Sequence, residues 1–175
     1  MTSVADLVQR NKELAASHTP IPTFAEMAGL GMGPPKTAIL TCVDGRCSPE
    51  NFVGLKPRDA LVIRNICGHL APALADIAGL DAFIGFNEIM VVHHTDCGAT
   101  HFTNEMLRDT LKKRLPEHEA NVDAMTFGAI TDIEQSVKDD VDLFKKSPLI
   151  RKELAEHTYG FVYDIKTGLL TPVEQ

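Results

Sequence analysis

Three short runs rich in branched and apolar residues, Thr37-Ala38-Ile39-Leu40-Thr41, Ala60-Leu61-Val62-Ile63-Arg64 and Glu88-Ile89-Met90-Val91-Val92-His93, are separated by segments long enough to hold a helix. Runs with so few polar interruptions suit strands buried on both faces, and strands that alternate with helix-length segments pair in parallel through crossovers. The pattern predicts an α/β fold in three layers, with a central, mostly parallel β-sheet and helices on both faces. Near the C-terminus Tyr159-Gly160-Phe161-Val162-Tyr163-Asp164 and Leu169-Leu170-Thr171 flank Lys166-Thr167-Gly168, a hairpin signal that adds an antiparallel edge strand. If the first and third runs are neighbours, the second lies on the far side of the first.

Helices are expected where apolar residues recur at helical spacing. Residues 3 to 16 carry Val4, Leu7, Val8, Leu14 and Ala15 mostly on one face after Thr2 or Ser3 as a cap. Thr23-Phe24-Ala25-Glu26 boxes a second, short helix. Residues 72 to 86 form the crossover, residues 103 to 115 a helix with a basic last turn, and Ile133, Val137, Val141 and Phe144 the stripe of another. The 175 residues, 44% hydrophobic, fit a single domain over 1–175, with an N-terminal helix and connection at 1–36 and an α/β core at 37–175.

Composition narrows the function classes. A net charge of -7, without basic runs interleaved with aromatics, argues against nucleic acid as a partner. No stretch approaches the roughly 18 apolar residues of a membrane span, and Met1-Thr2-Ser3-Val4-Ala5-Asp6 resembles neither a secretory signal nor a transit peptide. The four cysteines, Cys42, Cys47, Cys67 and Cys97, are too few and too clustered for a disulfide framework, and a reducing cytoplasm is expected.

Cys42 directly follows the first predicted strand and His94 the third, so both loops leave the carboxyl ends of parallel strands, the edge where open α/β sheets bind ligands. Cys42, His94 and Cys97 offer two thiolates and an imidazole. Structural zinc usually takes four protein ligands, whereas catalytic zinc takes three and leaves a position open. Two thiolates cancel the charge of Zn²⁺ and weaken it as a Lewis acid, so a helper is needed. Asp44 is suited to orient the nucleophilic water, and Arg46 to hold Asp44 ionised and aimed.

Cys42-Val43-Asp44-Gly45-Arg46 followed by His94-Thr95-Asp96-Cys97-Gly98 resembles the β-class carbonic anhydrases. Gly54-Leu55-Lys56-Pro57-Arg58-Asp59-Ala60-Leu61-Val62-Ile63-Arg64-Asn65, the doublet His93-His94, and Tyr163-Asp164-Ile165-Lys166-Thr167-Gly168-Leu169 also look like the short members of that family. The resemblance implies reversible hydration of CO₂ to bicarbonate and a proton by zinc hydroxide, with one Zn²⁺ per subunit on Cys42, His94 and Cys97. It implies Asp44 and Arg46 as catalytic residues, and a closed state in which Asp44 becomes the fourth ligand. It also implies a homodimer or a dimer of dimers.

The chain departs from relatives at Arg64-Asn65-Ile66-Cys67-Gly68-His69, where they often have Arg-Asn-Ala-Gly, and at Cys47. These changes place Cys67 and His69, with Gly98, beside the expected substrate pocket and keep carbonyl sulfide or CS₂ hydrolysis open as an alternative. An apolar pocket discriminates such small linear molecules by only about 1 to 3 kcal/mol. Cys47 and Cys67 also read as plain buried thiols. His69, His93 and His101 read as structural histidines or as proton carriers. In a non-catalytic alternative, Cys67 or His69 closes the tetrahedron of a structural zinc site.

Overall fold

The structure, a computed structural model, describes residues 1–174. It divides into two compact units, Met1–Gly33 and a larger one that begins at Pro34. In the first unit α1 (Val4–Ala15) starts at Ser3, whose hydroxyl accepts from the Asp6 amide while the Asp6 carboxylate accepts from the Ser3 amide. This capping box satisfies two otherwise orphaned groups. Thr23 and Glu26 repeat the device at α2 (Phe24–Gly29).

The second unit contains β1 (Thr37–Cys42), α3 (Pro49–Phe52), β2 (Leu61–Asn65), α4 (Leu70–Ile84) and β3 (Glu88–His94). A 3-10 turn at Gly98–His101 leads to α5 (Asn104–Arg114), α6 (Glu119–Asp123), α7 (Ile133–Lys146), α8 (Lys152–Glu156), β4 (Thr158–Tyr163) and β5 (Leu170–Pro172). The sheet order is β2-β1-β3-β4-β5. The first three pairings are parallel, and β5 runs antiparallel to β4 at the edge. The expected neighbourhood of the first and third strands, with the second beyond the first, is what forms.

The crossover helix begins two residues earlier than its apolar run suggests. Pro72 sits in the first turn, where a missing N–H removes no helical hydrogen bond. It ends at Gly85, whose φ of 71° gives the left-handed cap that glycine adopts without steric penalty.

Side chains alternate along the central strands and divide the core in two. Ala38, Leu40, Ile89 and Val91 pack against Leu70, Ala73 and Ile77 of α4 and Val137, Val141 and Phe144 of α7. Ile39 and Val92 face the other side, toward Phe52 of α3, the four cysteines and Ile130. Each fully buried Leu, Ile or Phe contributes about 1.5 to 3 kcal/mol, so the doubly covered sheet is the rigid base from which the loops after β1 and β3 project. Among the described residues, no helix is long and apolar enough to cross a membrane.

Candidate metal centre

The parallel register of β1 and β3 pairs Thr41 with Val92, so the two strands end side by side. Cys42 closes β1 and His94 closes β3, which brings residues remote in sequence to one sheet edge. Beyond His94 the ladder holds for one more residue, as the Thr95 amide donates to the Tyr163 carbonyl at 2.9 Å. Asp96 then takes a left-handed conformation, φ 54°, and turns the chain back to present Cys97.

The ligand atoms of Cys42, His94 and Cys97 all lie within 4.8 Å of one another, and the three residues are buried. Cys42 Sγ and Cys97 Sγ stand 3.9 Å apart. Two sulfurs each about 2.3 Å from a tetrahedral ion stand about 3.8 Å apart, so the spacing suits such an ion. His94 Nδ1 lies 3.0 Å from the Thr95 carbonyl, which can only accept; Nδ1 therefore carries the proton and Nε2 the free lone pair. That Nε2 is buried and has no hydrogen-bond partner of normal geometry, although the Cys42 thiol is near enough to act on it electrostatically. An orphaned imidazole lone pair beside two thiols is the donor set of a borderline-soft metal ion.

The electrostatics agree. Hydrogen bonding with Cys97, added to burial, pushes the Cys42 thiol up to about 12. The Cys97 thiol is lowered by Cys42 but raised on balance by Cys67 and burial. Without a cation these groups stay protonated; a bound divalent ion reverses that preference.

Asp44 lies on the loop after Cys42. Arg46 Nε donates to both of its carboxylate oxygens at 3.1 Å, and Nη2 donates to Oδ2 at 2.7 Å. This pairing holds the Asp44 carboxyl down to about 2. Its Oδ2 is 4.0 Å from His94 Nε2, so the carboxylate lies beside the three candidate ligands.

Two residues that sequence reasoning did not assign complete the frame. Asp96 accepts from Arg46 Nη1 at 2.8 Å, and its carbonyl accepts from Nη2 at 3.0 Å, so the guanidinium is held from two sides. Arg64 donates to the carbonyls of Cys42 and Asp44 at 2.9 and 2.7 Å and fixes the loop that carries both. Asp96 lies within the quoted His94–Gly98 motif, and that position was the available signal. Arg64 ends a predicted strand, and nothing in its spacing pointed to the loop.

The remaining candidates separate. Cys67 is buried in the same apolar cluster as Cys42 and Cys97, with its thiol donating to the Gly128 carbonyl at 3.2 Å. Gly68 lets the chain pass close to β1: at φ 81°, a Cβ there would lie 2.8 Å from the Thr41 carbonyl carbon. Cys47 contacts the Thr41 hydroxyl at 3.0 Å, and burial raises its thiol. Gly98 opens the exposed 3-10 turn after Cys97. His101 is exposed beside Asp96. His69 and His93 turn away to Asp140 of α7 and gather in a different group from the Cys42 cluster.

Comparison with known proteins follows the same outline. A sequence profile of the family described as carbonic anhydrase matches residues 37–170. A β-carbonic anhydrase 1 of Mycobacterium bovis is 30% identical over 146 residues, covering 82% of this chain and 86% of that one. A carbon disulfide hydrolase of Saccharolobus solfataricus is also 30% identical, over 158 residues, covering 78% and 76%. The solved carbonic anhydrase of Streptococcus mutans superposes with a TM-score of 0.81 at 31% identity, covering 99% of each chain.

Proposed function

The chain belongs to the β-class carbonic anhydrase family, and from that premise we propose that it reversibly hydrates CO₂ to bicarbonate and a proton, with one zinc ion per subunit held by Cys42, His94 and Cys97. The observation that carries this reading is the unpartnered, buried Nε2 of His94 between two thiols, with an ionised Asp44 beside it. Zinc there supplies Lewis acidity that makes water a nucleophile near neutral pH, a property best known from carbonic anhydrases of the three-histidine class.

The protein's own residues do the rest. Asp44 accepts a hydrogen bond from the attacking water and orients its lone pair. Arg46 keeps Asp44 ionised and turned away from the ion, and Asp96 keeps Arg46 in place. In a closed state Asp44 would leave Arg46 and serve as a fourth ligand. We assign the substrate space to the side of Cys67 and Gly98, where the apolar cluster of Cys67, Phe52, Val92 and Phe161 would favour a small uncharged molecule. His69, engaged with Asp140, supports that side from outside.

Stopped-flow hydration of CO₂ by zinc-replete protein tests the proposal. Turnover proportional to bound zinc is expected, and its absence at full occupancy overturns the reading. A carbon disulfide hydrolase is as similar in sequence as a carbonic anhydrase, so COS and CS₂ belong in the same assay. Faster turnover of either replaces hydration by hydrolysis on the same residues.

A homodimer, alone or paired into a tetramer, is proposed as the working unit. β2 ends the sheet with half-buried residues, and Ile66, directly after it, is an exposed apolar group. Sedimentation at low concentration tests it. Ligand thiols require a reducing compartment, and the cytoplasm is the proposed location.

A further inference from the structure

On the opposite face of β3 from His94, His93 points toward α7. Its Nε2 lies 3.1 Å from Asp140 Oδ2, and His69 Nδ1 lies 2.8 Å from the same oxygen. His93 is fully buried, Asp140 almost so, and His69 keeps a side-chain exposure of 19%.

The outer hydrogen bonds fix where the protons are. His69 Nε2 lies 3.1 Å from the Gly128 carbonyl, which can only accept, so Nε2 carries the proton. His93 Nδ1 lies 2.7 Å from the Ser136 hydroxyl, whose own hydrogen is donated to the Ile133 carbonyl at 2.7 Å; Nδ1 must therefore be the donor. In their neutral forms both histidines then aim a lone pair at a carboxylate. Three acceptor atoms then face one another in a buried space, an arrangement that demands a cation between them, a proton in the metal-free protein or a metal ion in the loaded one.

Geometry points to the kind of cation. His93 Nε2 is close to Oδ2 but makes no hydrogen bond of acceptable geometry, so its lone pair aims past the oxygen, as the lone pairs of ligands sharing an ion do. With ligand bonds of about 2.1 Å, the 2.8 and 3.1 Å separations subtend angles of about 85 and 95° at a shared ion. Right angles suit an ion that prefers octahedral over tetrahedral geometry, and two imidazoles with one carboxylate are a recurrent set for divalent first-row ions. The surroundings already have the form of an outer shell: each imidazole donates outward, and Asp140 Oδ1 accepts from the Leu70 amide at 3.0 Å. Gly128 is part of it. A Cβ there would lie 2.5 Å from the His69 ring, so only glycine lets its carbonyl reach Nε2.

We propose that His69, His93 and Asp140 form a second metal site, separate from Cys42, His94 and Cys97, that takes a divalent first-row transition ion with water filling the remaining positions. The one-fifth exposed edge of His69 is the way in. The ion ties the start of α4 and the middle of α7 to the end of β3.

The test is a titration of the full-length, metal-stripped protein with Co²⁺ alone, followed by absorption and equilibrium dialysis. Two equivalents are expected. One brings intense thiolate charge-transfer bands, and the other adds only weak absorption. His69→Gln and Asp140→Asn each reduce the uptake to one equivalent with the thiolate bands intact, whereas Cys42→Ser abolishes those bands and keeps the second equivalent. Uptake of a single equivalent by the wild type, or of two by His69→Gln, overturns the proposal. So does a ¹⁵N spectrum showing both histidines doubly protonated at neutral pH in the presence of Co²⁺, since protons then occupy the place assigned to the ion.

Discussion

His93 and His94 are adjacent in the chain and belong to two different clusters, because successive side chains of β3 point to opposite faces of the sheet. His94 joins two thiols at the loop edge, with Asp44 and Arg46 within reach of solvent. His93 joins a carboxylate and a second imidazole under α7, where every outer atom is already bonded. The contrast teaches what separates a reactive site from a structural one. Both have orphaned lone pairs and an ionised acid, but at the first the acid pairs with a half-exposed arginine, whereas at the second it is enclosed by two histidines.

The largest effect that should divide the two is loss of a thiolate. Cys97→Ser is expected to drop zinc content and CO₂ hydration to background while the secondary structure seen by circular dichroism persists; retained activity would erase the distinction. Next, Asp140→Asn removes the only anion facing two histidines. In the metal-free protein a proton stands in for the ion and completes a buried pair with Asp140, so the loss should destabilise it by about 3 kcal/mol in urea unfolding, yet leave the thiolate cobalt bands unchanged. Burial raises the Asp140 carboxyl, but in the metal-free protein the two facing imidazoles outweigh it and bring it down to about 2, which is why its removal is expected to be felt.

Asp44→Ala sharpens the comparison from the other side. Zinc should stay bound while kcat falls on the order of 10²-fold, because an orienting acceptor is lost and a ligand is not. Near-wild-type turnover at full zinc occupancy would remove Asp44 from the mechanism. The smallest effect is expected for Gly128→Ala. The left-handed φ of 71° and the clash with His69 should cost about 1 to 2 kcal/mol, with the Cys42 site untouched.

The loop-edge site was readable because its parts are local. Cys42, Asp44 and Arg46 lie within five residues, His94 and Cys97 within four, and the strand runs before them announce that both loops leave the same sheet edge. The antiparallel edge was legible for a similar reason: Lys166-Thr167-Gly168 marks a turn between two alternating runs. The second cluster was not legible. Asp140 sits in a helix whose acids at 139, 140 and 142 look alike, and only packing shows that Asp140 alone faces inward. Gly128 lies in a connection without a pattern, and His69 follows the Arg64-Asn65 end of a quoted motif, which drew it toward the substrate pocket. Two helix starts were readable from their caps, Ser3 and Thr23, but the start of α4 was not, since His69 makes no side-chain cap and Pro72 marks the first turn and not the boundary.

Zinc-edge X-ray absorption on protein loaded with one equivalent of zinc tests the central claim most directly. The account predicts two sulfurs at about 2.3 Å, one imidazole nitrogen and one exchangeable oxygen ligand. A third sulfur, from Cys67, or a shell without sulfur would contradict it.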